Sequence, residues 1–171
     1  PAIATGSYNY RTLGLGYAMG PKKFQNSSYD AGHIITFGQA KDFYNQYWSL
    51  FSGIKRFSNV CANNFKARGF LVNEFGYRLI PDKDYKAFNY WIQSTVSGIM
   101  HVLCAKFFAL APYCKFILVI HDEVIFSCPT EKLAVARLAM KSAEASLNAN
   151  LKWRVNMRVG WVTGRNLYEA K

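Results

Sequence analysis

Apolar positions along this chain change their period several times, and each change marks an element. From Gln39 to Phe57 the apolar residues Phe43, Tyr47, Leu50, Phe51 and Ile54 fall at helical spacing. Their aromatic stripe reads as core and not as a platform for stacking bases. Phe70 to Ile80, with a turn at Gly76, predicts a β-hairpin. Asp84 to Leu110 predicts one long, mostly buried helix that ends near Pro112. Lys115 to Cys128, KFILVIHDEVIFSC, has two β-rich runs around the polar step His121-Asp122-Glu123, and predicts a second hairpin. Pro129-Thr130 opens a further helix, with Thr130 as N-cap and Leu133, Ala136, Met140, Ala143 and Leu147 on its apolar face. Trp153 to Val162 alternates as a strand. The segment before Gly20 has mixed helical character, with Leu13 and Tyr17 on one side. Gly14 and Gly16 weaken it by roughly 1 kcal/mol each relative to Ala. Glycines so placed suit the close approach of a ligand or of a neighbouring helix. The sum is an α+β chain: a helical first half, then an antiparallel sheet with long helices on it.

Composition narrows the classes. The 171 residues are 51% hydrophobic, which allows one or two small domains with a real core and excludes a disordered tail. The 21 Lys and Arg outnumber the 10 Asp and Glu, for a net charge of +11, which suits a polyanionic partner such as nucleic acid. The excess is spread along the chain without a polybasic tail, so a structured surface is expected to carry it. Cys61, Cys104, Cys114 and Cys128 share no C-x-x-C spacing, so free buried thiols are expected, without a zinc site or disulfide framework. No apolar run is long enough to span a bilayer and no signal peptide is visible, so a cytoplasmic location with no membrane partner is expected.

The densest chemistry is in the second hairpin. Its step sets Asp122 and Glu123 side by side at the tip of an apolar element expected to be buried. Carboxylates held there need a cation or a donor. Hard divalent ions such as Mg²⁺ take such oxygen ligands, which suggests metal-dependent phosphate chemistry.

Four segments then agree with one family. HDEVIF between apolar strands resembles the third polymerase motif of family A DNA polymerases, the class of bacterial DNA polymerase I and many phage replicative enzymes. KAFNYWIQSTVSGI, from Lys86 to Ile99, is similar to the long palm helix that carries an Asn and a Gln four residues apart, here Asn89 and Gln93. LGLGYAMG, from Leu13 to Gly20, resembles the end of the nucleotide-binding fingers helix, and GRNLYEAK, from Gly164 to Lys171, resembles the family's C-terminal sequence. The segments stand in the family's order and together reach over nearly the whole chain.

The resemblance implies a C-terminal fingers piece over residues 1–69 and the C-terminal part of the palm over 70–171. It implies that Asp122 holds catalytic Mg²⁺, that Glu123 supports it and that His121 touches the primer end. Two ions would activate the primer 3′-hydroxyl and stabilise the departing pyrophosphate. Tyr17 would close on the nascent base pair, Leu13 would lie against the incoming sugar, and Arg11 would lie near the triphosphate but off the face that grips it. Asn89 and Gln93 would hydrogen-bond the duplex near the primer terminus, where minor-groove acceptors common to all pairs allow a check of geometry. Lys22 and Lys23 could reach template phosphates.

Two departures shape the expectation. The family's first carboxylate motif, of the type Asp-x-Ser-x-x-Glu, precedes the fingers helix, and none of Asp30, Asp42, Asp82 and Asp84 has that context. The fingers positions that normally hold an Arg and a Lys are Asn9 and Thr5 here. The expected protein is therefore the C-terminal piece of a phage-type, split family A polymerase acting on primer–template DNA and deoxynucleoside triphosphates. A complementary chain would bring the thumb, the N-terminal palm and the missing aspartate, and phage origin would make the host cytoplasm its location. The alternatives are a non-catalytic DNA-binding subunit derived from a polymerase, and a His-Asp metal phosphohydrolase drawing on His33, His101 and His121.

Overall fold

The computed structural model describes residues 14–16, 19–120 and 122–170. The chain separates into two compact units, Pro1–Thr95 and Val96–Lys171. Its helices are α1 (Pro21–Asp30), α2 (Phe37–Leu50), α3 (Ser52–Arg68), α4 (Ala87–Leu110) and α5 (Leu133–Leu151). Two antiparallel hairpins, β1 (Leu71–Val72) with β2 (Arg78–Leu79) and β3 (Lys115–Ile120) with β4 (Glu123–Ser127), complete an α+β fold.

In the first unit, residues 14–16 are helical and Leu15 is fully buried in a cluster with Phe24, Ala40, Tyr47 and Trp48. The glycines there serve packing: a Cβ on Gly16 would stand 3.2 Å from the Tyr47 hydroxyl. Thr36 starts α2 with a reciprocal capping box, its side chain accepting from Gln39 N–H while the Gln39 side chain accepts from Thr36 N–H. The single helix expected through Phe57 is in fact broken. Phe51 leaves helical geometry (φ −105°, ψ 41°) and α3 begins directly after it. The expected stripe divides there as well. Phe43 and Tyr47 join the core, whereas Leu50, Phe51 and Ile54 are exposed. The helical period persists on both sides of the break, but it does not say where the neighbouring elements stop covering it.

Gly69 ends α3 in the left-handed region (φ 73°) and turns the chain into the short first hairpin, where Gly76 (φ 79°) makes the expected turn. Leu71 packs with Cys61, Ala87 and Phe88 in a second cluster. A 3₁₀ turn at Asp84–Lys86 leads into α4, which runs to Leu110 as expected before Pro112.

In the second unit, Phe107 is 1% exposed and packs on Phe126 of β4 with ring centroids 4.6 Å apart. Helix α5 buries Ala136, Met140, Ala143 and Leu147, the face expected of it, with Ala139 added. Thr130 is not its N-cap: it opens a 3₁₀ turn over Thr130–Lys132 and makes no capping hydrogen bond. The strand expected at Trp153 to Val162 is not formed among the described residues. That segment is held to α5 by side chains instead. Asn148 bonds both the N–H (2.7 Å) and the carbonyl (2.9 Å) of Met157, and Glu144 accepts from the Val159 N–H at 2.8 Å. Its apolar alternation survives, since Met157, Val159 and Trp161 are half-buried between exposed neighbours. No helix among the described residues is long and apolar enough to cross a membrane.

Candidate active site

The β3–β4 hairpin forms because both strands are rich in β-branched and aromatic residues. Its register runs from Lys115↔Ser127 to Ile120↔Glu123, so Asp122 lies in the turn and Glu123 opens β4. A register shift between Phe116 and Leu118 puts a bulge at Ile117. One side of the hairpin is anchored. Phe126 meets Phe107, Phe108 and Trp161 at centroid distances of 4.6, 6.0 and 5.4 Å, and Phe116 meets Phe108 at 6.2 Å.

The tip is not buried, contrary to expectation. Asp122 and Glu123 are both exposed, and neither forms an ion pair with another described residue. Strand β3 leading to it is open as well, Phe116 being 55% exposed, Ile117 53% and Val119 49%, whereas Val124, Ile125 and Phe126 of β4 are half-buried. The sequence pattern of a buried strand is present, but the second unit holds no further strand among the described residues to cover it. Two adjacent carboxylates offer hard oxygen donors suited to Mg²⁺. They are fewer than a closed site needs, and no group of three or more His, Cys, Asp or Glu side chains that could hold a metal ion occurs among the described residues.

The remaining predicted site residues fall elsewhere. Leu13, Tyr17, Arg11 and His121 lie outside the described residues, as do Thr5 and Asn9. Asn89 and Gln93 lie one turn apart on the part of α4 that belongs to the first unit, whereas Asp122 and Glu123 belong to the second. The Asn89 Oδ1 is buried without a hydrogen-bond partner among the described residues. Asn89 spends that oxygen on no backbone group, as a capping or cross-linking asparagine would. Lys22 and Lys23 are exposed in the first turn of α1, and the Lys22 ammonium donates to Gln25 Oε1 at 3.0 Å.

One residue near this face was missed from the sequence. Asn73 is 6% exposed, and its Oδ1 accepts from the N–H groups of Phe75 (3.0 Å) and Tyr77 (2.9 Å). Its Nδ2 donates to Ser94 Oγ on α4 at 3.1 Å. Ser94 in turn donates to the Trp91 carbonyl, and Trp91 Nε1 donates to the Val72 carbonyl at 3.2 Å. The first hairpin is thus tied to α4 on either side of Gln93. An Asn three residues before the turn glycine was the available signal.

This arrangement has known relatives. The sequence model of DNA polymerase family A matches residues 9–169. The DNA polymerase of Mycobacterium phage D29 is 35% identical over 105 residues, covering 57% of this chain and 16% of that protein. The thermostable DNA polymerase I of Thermus aquaticus is 24% identical over 148 residues, covering 77% of this chain and 18% of that protein. The POL domain of Pol1 from M. smegmatis, solved in complex with DNA primer-template and dNTP, shares the fold with a TM-score of 0.70 at 16% identity, over 82% of this chain and 27% of that one. This chain thus spans less than a fifth of the curated relatives it matches. It belongs to DNA polymerase family A.

Proposed function

We propose that this chain supplies one side of the catalytic site of a template-directed, Mg²⁺-dependent DNA polymerase, and that a complementary polymerase chain supplies the other. The observation that carries this reading is the second hairpin: two carboxylates at an exposed tip, without an ion pair to another described residue, beside a strand β3 whose Phe116, Ile117, Val119 and Ile120 stay open to water. Exposing an apolar strand costs about 25 cal/mol per Å² left uncovered, so a two-stranded ribbon of this composition favours further strands beside it. A partner chain with the N-terminal palm, the thumb and the motif A aspartate would cover the ribbon and bring more carboxylate oxygens to the tip.

In this reading residues 1–69 serve as the fingers piece and 70–171 as the palm piece. Asp122 holds the ions, Glu123 supports it from the start of β4, and His121 touches the primer terminus. The bound ions would supply charge neutralisation and a more acidic primer hydroxyl. The chain's own residues hold the duplex. Asn89 and Gln93 meet the minor groove near the primer end, and the Asn73–Ser94–Trp91 hydrogen bonds fix the stretch of α4 that carries them. Lys22 and Lys23 sit at the positive end of the α1 dipole, where cations are disfavoured by roughly 0.3–1 kcal/mol. A template phosphate would relieve that strain. Tyr17 and Leu13 would close on the incoming nucleotide, with Arg11 nearby. A cytoplasmic location, the host's for a phage protein, belongs to the same reading.

The family match sets aside the His-Asp phosphohydrolase. A DNA-binding subunit without catalysis is separated by Asp122→Ala in the assembled enzyme. The expected result is loss of primer extension with duplex binding kept. Extension within about tenfold of wild type, roughly 1.4 kcal/mol, would remove Asp122 as a metal ligand.

A further inference from the structure

The end of the second hairpin opposite the carboxylates carries a pair of thiols. The ladder pairs Lys115 with Ser127, so one step outward Cys114 stands opposite Cys128. Directly opposed residues of antiparallel strands have Cα atoms roughly 4.5–5.5 Å apart, inside the range a disulfide spans. The two sulfurs are near enough for Cys128 to act on the Cys114 thiol. Both residues are held locally: Cys114 N–H donates to the Ala111 carbonyl at 2.9 Å, and the Cys128 thiol to the Pro129 carbonyl at 3.5 Å. The two differ in access, Cys114 being buried and Cys128 half-buried. All four cysteines are free, and Cys61 is buried in the first unit.

We propose that Cys114 and Cys128 are a redox-modifiable pair, closed into an intrachain disulfide across the hairpin base by a low-molecular-weight disulfide such as oxidised glutathione. Cys128, the more accessible thiol, attacks the oxidant as thiolate; one glutathione leaves as its thiolate and a mixed disulfide remains. Cys114 then gives its proton to solvent and attacks the Cys128 sulfur, expelling the second glutathione thiolate. Two protein thiols are oxidised to one disulfide, and one oxidised glutathione is reduced to two thiols. Burial and the adjacent sulfur push the Cys114 thiol up to about 12, so ring closure speeds up as pH rises. Burial also pushes the Cys61 and Cys104 thiols up, which slows their own reaction. The closed form pins β3 to β4 on the far side of the Ile117 bulge from Asp122 and Glu123. The inference rests on the ladder and does not depend on the polymerase reading.

The test is to treat the reduced 171-residue protein with oxidised glutathione, block the remaining thiols and map the peptides. A Cys114–Cys128 linkage with Cys61 and Cys104 blocked as free thiols is expected. The Cys114→Ser variant should retain glutathione on Cys128. Wild-type protein that keeps glutathione on Cys128 without closing, or that is left unmodified, overturns the proposal. On closure, amide exchange in β3 and β4 should slow on the order of tenfold and recover with dithiothreitol. Unchanged exchange overturns the claim that the bond pins the strands.

Discussion

Asn73 and Ser94, 21 residues apart in sequence, are joined by a 3.1 Å hydrogen bond that ties the first hairpin to helix α4. Asn73 is buried and spends its other amide atom on two backbone N–H groups of the turn. Asn73→Ala leaves those two donors unsatisfied and removes the bond to Ser94, at about 1–3 kcal/mol. We expect a matching drop in unfolding free energy, with faster exchange of the Phe75 and Tyr77 amides. An unchanged denaturation midpoint would show that the turn holds without its side chain.

How far the sequence reached follows from what each signal encodes. The turn at Gly76, the long helix to Leu110 and the hairpin around Asp122 were legible because turn chemistry and period are local. The break at Phe51 was not, since the apolar spacing continues across it while only Phe43 and Tyr47 find a core. The strand expected at Trp153 to Val162 kept its alternation without a ladder, because a strand also needs a neighbour, and Asn148 and Glu144 on α5 take its backbone groups. The acids at the tip were readable as a motif. Their exposure was not, because burial of a strand depends on elements that its own sequence does not name.

Phe107 is the keystone of the second unit, touching Phe126, Phe108 and Trp161. Phe107→Ala should cost about 3–5 kcal/mol by lost burial and the cavity left behind. Chemical denaturation followed by tryptophan fluorescence reads the loss. A cost below about 1 kcal/mol would mean that the aromatic cluster repacks freely.

Asp84 accepts from Lys66 at 2.8 Å, which ties α3 to the 3₁₀ turn before α4. The hydrogen bond to Lys66, followed by that to the Tyr85 N–H, holds the Asp84 carboxyl below its usual range. A depressed carboxylate stabilises the fold above its unfolded pKa of about 3.9 and loses that contribution as pH falls through the lower folded value. Asp82 behaves alike through Lys86, at 2.6 Å. NMR titration of the side-chain carboxyls should place both midpoints below ordinary aspartate, and Lys66→Ala should return Asp84 toward it. An Asp84 midpoint at or above the ordinary value would contradict the pairing.

Lys22 and Lys23 should act through phosphates and not through bases. Replacing both with Ala should weaken duplex binding evenly across sequences and lower the salt dependence by about one unit of slope per lysine. Sequence-dependent losses, or an unaltered slope, would take them off the template.

We propose that Asp122 and Glu123 form half of a metal cradle that another polypeptide completes. Primer extension with Mg²⁺ tests it most directly, comparing this chain alone with the chain mixed with a family A fragment that carries the thumb, the N-terminal palm and the motif A aspartate. We expect no incorporation by the chain alone, incorporation by the mixture, and none when Asp122→Ala enters the mixture. Incorporation by the 171 residues alone, or a mixture indifferent to Asp122, would contradict it.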